Sequence, residues 1–310
     1  MAGEHTTFMN VPLHTDLETL EAEVAILGVP YGVPYVMGQS ATYDAPRYLR
    51  EVSSRFRNSL GAHHNFDFGG ELLDGREVRI VDCGDVPGDP LDIPATVQRA
   101  TDAVRAILAR GAVPIVFGGD DSVPIPVVRA YRDYGPLVVV QVDQHLDFRE
   151  EVGGVREGYS SPMRRISEMA WVEQIVQVGL HGIGSALTSD VEEARAAGNL
   201  LITEREVHEL GMDAVLDRIP DGADYFITID FDGFDAAVCP AVSHPEPGGL
   251  TFAEGVALLC GLAAKGRVVG MDMVEFVADH DLHGLGARVA GRLILNLIHA
   301  MIRAGQFDRP

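Results

Sequence analysis

Short, almost uninterrupted apolar segments recur along the 310-residue chain, with helical stretches between many of them. Strands with one solvated face alternate apolar and polar residues, whereas these segments are apolar at nearly every position. The pattern predicts strands that are covered on both faces, as in a parallel sheet between helices. Eight segments have this character: 23–30, 76–86, 112–120, 136–145, 174–180, 199–207, 224–232 and 267–276.

The helical stretches carry start and stop signals. A helix over 94–110 is predicted to end at Gly111, a residue type common just beyond helix C-termini. A helix over 251–265 opens with the Thr-x-x-Glu spacing of a capping box, and the last helix has an apolar residue every fourth position. The alternation predicts one α/β domain over 1–310, with three layers and a parallel eight-stranded sheet flanked by helices.

The charge balance narrows the classes of function. Forty-six acidic residues against 24 basic ones give a net charge of −22, which repels a phosphate backbone, so we expect no nucleic-acid partner. The three cysteines are widely spaced, which fits a reducing compartment and offers no thiolate metal site. Without a signal-peptide pattern or an apolar run of membrane-spanning length, we expect a cytoplasmic protein that does not enter a membrane.

Acidic residues gather where the predicted strands end. Asp120 and Asp121 follow one strand, the segment 143–147 follows another, and Asp230 and Glu275 close two more. Open α/β sheets bind ligands outside the carboxyl ends of their strands. We therefore expect these clusters to meet in one crevice.

The spacing within two clusters indicates a metal site. Asp143, His145 and Asp147 are two residues apart, as are Asp230 and Asp232, so an extended backbone points each set to one face. Carboxylates at the end of an apolar strand are costly to bury unpaired, and divalent cations are the simplest compensation. A water between two such ions would become a hydroxide near neutral pH. Oxygen-rich ligation with one imidazole favours Mn²⁺ over Zn²⁺, with Ni²⁺ or Fe²⁺ as alternatives.

Each piece alone has a simpler interpretation. An Asp-x-Asp pair at a strand end is typical of a helix cap or an ion pair. A single histidine is more often held by a structural hydrogen bond than by a metal. Three acidic clusters at the ends of successive strands together favour metal binding.

Three segments resemble the metal-binding blocks of the ureohydrolases, the family of arginase, agmatinase and related guanidino-acid hydrolases. The family blocks read roughly Gly-Gly-Asp-His-Ser, Asp-Ala-His-x-Asp and Asp-x-Asp-x-x-Asp-Pro. This chain has GGDDS at 118–122, DQHLD at 143–147 and DFDGFDA at 230–236. The segments 245–255 and 272–276 are similar to agmatinase sequences, and the resemblance covers nearly the whole chain. It implies an arginase-like fold.

The resemblance also implies a binuclear centre of two divalent ions, Mn²⁺ first and Ni²⁺ as the alternative. The implied metal ligands are Asp121, Asp143, His145, Asp147, Asp230 and Asp232. Of these, Asp143 and Asp230 would bridge the two ions. Asp121 with Asp147 would complete the shell of one ion, and the two remaining ligands that of the other.

In the family reaction, a bridging hydroxide attacks the carbon of a small guanidino substrate and releases urea and an amine. The resemblance implies that Asp147 orients the hydroxide or takes its proton, and that Glu275 pairs with the guanidinium. A guanidinium is a poor electrophile, so the reaction needs a strong, positioned nucleophile and nearby negative charge. The resemblance further implies a homotrimer or homohexamer.

Two departures from the family pattern change the expected chemistry. Asp121 stands where the family has a metal-binding histidine, which adds a negative charge to the centre. The family's His-Gly-x-Pro segment, whose histidine is thought to shuttle protons, is replaced by residues around Tyr159. Protonation of the departing amine then falls to water, to Tyr159 or to another residue such as His181. The residues Tyr35, Met37 and Gln39 either line the substrate entrance or merely pack their loop.

Three functions are therefore open from the sequence. The first is a metal-dependent amidinohydrolase acting on an agmatine-like amine, a guanidino acid or a small substituted guanidine, rather than on arginine itself. The second, motivated by Asp121 and the missing histidine, is a non-catalytic subunit that forms a hetero-oligomer with an active paralogue. The third is an amide deacetylase on the related fold, against which the agmatinase-like segment around Glu275 speaks.

Overall fold

The computed structural model describes residues 6–33, 35, 40–54, 60–89, 91–184 and 186–308. All eight predicted strands are present, and they pair in parallel into one sheet. The strands are β1 (Val24–Gly28), β2 (Ile80–Asp85), β3 (Val113–Phe117), β4 (Leu137–Val142), β5 (Val172–Leu180), β6 (Leu200–Thr203), β7 (Asp224–Asp230) and β8 (Arg267–Val274). Their order across the sheet is β2-β1-β3-β8-β7-β4-β5-β6. The predicted α/β fold is confirmed.

The described ranges contain nine α-helices. They are α1 (Ala45–Ser53), α2 (Ile93–Ala109), α3 (Pro124–Arg129), α4 (Pro162–Ser167), α5 (Thr188–Ala196), α6 (Glu204–Leu210), α7 (Met212–Leu216), α8 (Phe252–Lys265) and α9 (Leu285–Arg303). The capping box of α8 forms as expected, because Thr251 Oγ1 accepts from the N–H of Glu254 while that glutamate accepts from the N–H of Thr251. Gly111 lies just beyond α2 with φ +75°, as the helix-stop signal indicates.

Two apolar cores, one on each face of the sheet, make the three layers. One contains side chains of α1, α8 and α9, and the other contains side chains of α2, α3 and α4. Among the described residues, α9 alone is long and apolar enough by composition to cross a membrane. Within the fold 83% of its apolar 18-residue stretch is buried, which is typical of a core helix.

The strand order decides where the polar loops meet. β3, β8, β7 and β4 are neighbours in the middle of the sheet, and Asp230 at the end of β7 is level with Val274 at the end of β8. The loop after β3 passes so close to β8 and to the segment after β1 that only glycine fits. A Cβ on Gly118 would lie 2.7 Å from the side chain of Val274, and one on Gly119 would lie 2.8 Å from the backbone of Tyr31. The glycine pair thus lets the acidic residues behind it reach the crevice.

Candidate metal centre

The loops after the four central strands bring the acidic clusters together. Asp121 lies in the loop after β3, Asp143 follows β4 directly, and Asp230 ends β7. These three carboxylates are at most 2% exposed. Their ligand oxygens lie within 4.8 Å of one another.

A second group shares one member with the first. Ligand atoms of Asp143, His145 and Asp232 also lie within 4.8 Å of one another. Asp143 belongs to both groups, whereas Asp230 belongs only to the first. The bridging roles of Asp143 and Asp230 both stay predictions.

His145 contacts both carboxylates of the second group. Its Nδ1 lies 3.4 Å from Asp143 Oδ1 and 3.2 Å from Asp232 Oδ2. Burial lowers the pKa of His145, but the hydrogen bond to Asp232 and the surrounding carboxylates outweigh it and raise the pKa to about 10. The surrounding carboxylates thus favour the protonated form of this imidazole.

The surroundings of the Asp121 carboxyl show whether the first group fits a metal ion. Both of its carboxyl oxygens are buried, and neither has a hydrogen-bond partner among the described residues. Burial raises the pKa of Asp121 well above its ordinary value, and the nearby charges of Asp147, Asp143 and Asp230 raise it further. The carboxyls of Asp147 and Asp121 can form a hydrogen bond with each other only when one of the two is protonated. Unpartnered, mutually repelling oxygens in a buried pocket fit the ligand preference of a divalent cation.

Asp147 lies at the same pocket in a strained backbone conformation. Its φ is +47°, in the left-handed region that residues other than glycine rarely adopt. The carboxyl is buried, and one of its oxygens lies 3.3 Å from Nε2 of Gln141. Burial raises its pKa, partly offset by the carboxyl of Asp143 and the charge of His145. The two groups of mutually close ligand atoms do not include Asp147, so its role as a ligand stays a prediction.

Glu275 is held at the rim of the first group by two hydrogen bonds. Its Oε1 accepts from the backbone N–H of Asp121 at 2.9 Å, and its own N–H donates to the carbonyl of Gly119 at 2.9 Å. Its φ of +61° is also left-handed. Burial raises the pKa of Glu275 to about 8, and the neighbouring carboxylate of Asp120 adds to that rise. A cationic ligand would relieve this repulsion.

Two polar residues that support the site, Gln141 and Gln144, were not predicted from the sequence. Gln144 donates from Nε2 to Asp232 Oδ2 at 2.9 Å, and Gln141 donates to Asp143 Oδ2 at 2.6 Å. Asp120 accepts from both the N–H and the hydroxyl of Ser122. A glutamine within an otherwise apolar strand is the sequence signal that could have drawn attention to Gln141.

Two tyrosines pack against each other, and one of them, Tyr159, is close enough to Glu275 and Asp120 to sense their charges. The rings of Tyr35 and Tyr159 lie 4.2 Å apart between centroids, and Tyr35 Oη accepts from the N–H of Ser160 at 2.9 Å. Tyr159 is 41% exposed. Burial raises the pKa of Tyr159, and the neighbouring Tyr35 and the charge of Glu275 raise it further. The hydroxyl of Tyr159 therefore keeps its proton. The predicted entrance residues Met37 and Gln39 lie outside the described residues.

The second candidate proton donor, His181, lies after β5. Its Nδ1 is 2.7 Å from the carbonyl of Gly179. Its Nε2 is buried and has no hydrogen-bond partner in the part of the chain that the structure describes. The carbonyl requires a proton on Nδ1, so a neutral ring would present an unprotonated Nε2.

Comparison with known proteins agrees with this arrangement. Residues 22–300 match the Arginase family. Guanidinopropionase of Pseudomonas aeruginosa is 31% identical over 94% of this chain and 90% of its own length, and mitochondrial arginase 1 of Arabidopsis thaliana is 31% identical over 89% and 80%. The structure of proclavaminate amidino hydrolase from Streptomyces clavuligerus superposes with a TM-score of 0.83 at 26% identity, over 97% of this chain and 98% of that one.

The eight-stranded parallel sheet with its acidic crevice defines an α/β protein of the arginase-like fold. The chain belongs to the arginase family. The resemblance predicted from the three acidic blocks is thereby confirmed.

Proposed function

We propose that this chain hydrolyses a linear guanidino compound to urea and an amine at a centre of two divalent metal ions. Members of the arginase family are hydrolases of carbon–nitrogen bonds in linear amidines, and this chain is one of them. The observation that carries the finer proposal is the pair of ligand groups that share Asp143, with Glu275 fixed beside them. The proposed substrates are a guanidino acid, an agmatine-like amine or a small substituted guanidine.

Most of the residues that would hold the ions carry a negative charge. The carboxylate ligands are Asp121, Asp143, Asp147, Asp230 and Asp232. Five negative charges against two divalent cations leave the centre at −1 when His145 is neutral. This oxygen-rich set favours Mn²⁺, with Ni²⁺ as the alternative. When bound, the ions would act as Lewis acids and lower the pKa of water.

The protein's own side chains would bind the substrate and move its protons. Glu275 would pair with the guanidinium, whose positive charge offsets the repulsion between Glu275 and Asp120. Asp147 would take the proton of the attacking water at a carboxylate oxygen. The departing amine needs a proton, which the hydroxyl of Tyr159 would donate. His181 is the alternative donor.

The geometry speaks against a subunit that has lost its metal centre. Asp121, although it replaces the family histidine, keeps a ligand oxygen within 4.8 Å of Asp143 and Asp230. Three mutually repelling carboxylates are costly to bury without a cation, so a site that no longer binds metal is not expected to retain them. We further propose a cytoplasmic homo-oligomer, a trimer or hexamer. Co-purification with a homologous chain would instead indicate the hetero-oligomer.

The decisive experiment combines metal content with urea release. Protein expressed with added Mn²⁺ or Ni²⁺ is assayed against guanidinopropionate, guanidinobutyrate, agmatine, methylguanidine and arginine. We expect two metals per chain and urea from at least one substrate other than arginine. Asp143→Ala, which removes the residue common to both groups, should lose metal and activity together. Metal-loaded wild-type protein that releases no urea from the whole panel would refute the proposal.

A further inference from the structure

Three buried amide side chains lie behind the metal centre, in a row that crosses two strands. Gln141 on β4 and Gln177 on β5 are register partners in the sheet, and both are fully buried. Asn199, directly before β6, is 8% exposed. Amides in an apolar core are costly unless every donor and acceptor finds a partner, so their mutual arrangement needs an explanation.

The three amides form one continuous chain of hydrogen bonds that ends on the carboxylates. Asn199 Nδ2 donates to Gln177 Oε1 at 3.0 Å, and Gln177 Nε2 donates to Gln141 Oε1 at 2.6 Å. Gln141 Nε2 then donates to Asp143 Oδ2 at 2.6 Å and to Asp147 Oδ2 at 3.3 Å. One amide group therefore contacts two of the proposed metal ligands.

The chain of amides can run in only one direction. The second N–H of Gln177 donates to the carbonyl of Leu146 at 2.8 Å, so both of its hydrogens are used. Its carbonyl faces the amide of Asn199, and its NH₂ group faces the carbonyl of Gln141. Turning Gln141 around would point a carbonyl oxygen at two carboxylates and an NH₂ group at the NH₂ group of Gln177, which is doubly unfavourable.

We propose that Gln141, oriented by Gln177 and Asn199, is a positioning residue that fixes Asp143 and Asp147 for metal binding. The inference rests on the metal centre proposed above. Two carboxylates that repel each other are held by one uncharged donor, which contacts one oxygen of each. The other oxygen of Asp143 accepts from the backbone N–H of His145 at 2.5 Å. Hydrogen-bonded partners of this kind orient metal ligands and tune affinity.

The same donors explain how the centre tolerates Asp121. A fifth carboxylate makes the centre more anionic than one with a histidine at that position. The two N–H groups of Gln141 and the amide of Gln144 on Asp232 stabilise three of the other four carboxylates.

The test measures Mn²⁺ affinity rather than activity. Wild-type protein, Gln141→Leu and Gln177→Leu are stripped of metal, and free Mn²⁺ is followed by electron paramagnetic resonance during titration. The matched control is Tyr131→Phe, because the buried Tyr131 hydroxyl donates to the carbonyl of Val269 at 2.9 Å and contacts no proposed ligand. Thermal unfolding of each metal-free variant reports the loss of stability separately.

We expect Gln141→Leu to weaken Mn²⁺ binding about 10- to 100-fold, and Gln177→Leu to weaken it less but in the same direction. Tyr131→Phe should lower the unfolding midpoint and leave the affinity unchanged. Wild-type affinity in both glutamine variants would overturn the inference and leave the amides a structural role. If Gln141→Leu does not fold, the comparison of Gln177→Leu with Tyr131→Phe decides alone. Wild-type protein that binds no Mn²⁺ would instead refute the proposed metal centre, and this inference with it.

Discussion

The backbone N–H of Asp121 donates to Oε1 of Glu275 at 2.9 Å, although the two residues are 154 positions apart in the chain. A second hydrogen bond, from the N–H of Glu275 to the carbonyl of Gly119, joins the same two loops. The residue that departs from the family pattern and the carboxylate proposed to pair with the guanidinium are therefore mechanically linked. A change at one of them is expected to be felt at the other.

Replacing Glu275 separates substrate binding from metal binding. Glu275→Gln keeps an oxygen that can accept from the N–H of Asp121 but removes the negative charge. We expect kcat/KM to fall by about 100-fold or more, with Mn²⁺ content unchanged. Glu209→Gln on the surface of α6, where Glu209 pairs with Arg205, is the matched control and should retain wild-type activity. A Glu275→Gln enzyme with normal kcat/KM would remove Glu275 from the mechanism.

Replacing Asp121 should have opposite effects on stability and metal binding. Asp121→Asn removes a buried charge that repels Asp143, Asp147 and Asp230, so the metal-free protein should unfold at a higher temperature. The weaker neutral ligand should lower Mn²⁺ affinity about 10- to 100-fold. Calorimetric unfolding with a chelator and Mn²⁺ titration check the two effects. The surface variant Asp102→Asn should change neither, and Asp121→Asn that binds Mn²⁺ like the wild type would show that Asp121 is not a ligand.

Metal binding should release protons. In the metal-free protein the pKa of His145 is about 10, so at pH 8 the imidazole must lose a proton before it can bind an ion. We expect at least about one proton released per chain, and an affinity that rises with pH. Calorimetry in buffers with different ionisation enthalpies measures the number. The release should decrease in His145→Gln, and an unchanged value there would contradict the assignment.

The stability of the metal-free protein should fall as pH rises, partly because of Asp272. This fully buried carboxyl has a pKa raised by burial from 3.8 to about 8. The folded state therefore keeps a proton that the unfolded state loses, so the stabilising contribution is complete below pH 4 and disappears as pH approaches 8. The slope is about 1.4 kcal/mol per pH unit. Asp272→Asn should flatten the pH dependence measured by denaturant unfolding with a chelator, and an unchanged slope would refute the prediction.

The two candidate proton donors can be told apart by the pH profile. Tyr159→Phe removes the hydroxyl and keeps the ring contact with Tyr35. If Tyr159 protonates the departing amine, kcat should fall by about 100-fold and the alkaline limb of the kcat profile should disappear. His181→Gln should then affect kcat little. The reverse result would assign the proton transfer to His181.

The fold was predictable because both faces of the sheet are covered. Segments such as 136–145 and 267–276 contain short, nearly continuous apolar runs, a pattern that favours buried parallel strands over so short a length. The strand order was not predictable in the same way. Nothing in the local sequence states that β8 lies between β3 and β7, because that choice depends on how the helices pack on each face.

The acidic side chains of the site could be found by spacing, whereas their supports could not. Asp143, His145 and Asp147 stand at every second position, so their spacing alone indicates a common site. The extended backbone that this spacing predicted is interrupted by a bend at 144–145 and by the left-handed φ of Asp147. Gln141 acquires its partner Gln177 only through the register between β4 and β5. The bond between Asp121 and Glu275 likewise depends on the meeting of distant loops. Contacts of this type follow from tertiary structure.

The position of β8 also has a consequence for synthesis of the chain. β8 is the last strand in sequence, yet it joins β3 to β7 and so connects the two halves of the sheet. A nascent chain without residues 267–276 cannot join β3 to β7. Half-sheets formed at that stage would have unpaired inner edges, which are hazards for aggregation. The insertion of β8 closes both edges and brings Glu275 to Asp121 in the same event. The crevice is thus among the last parts of the molecule to form.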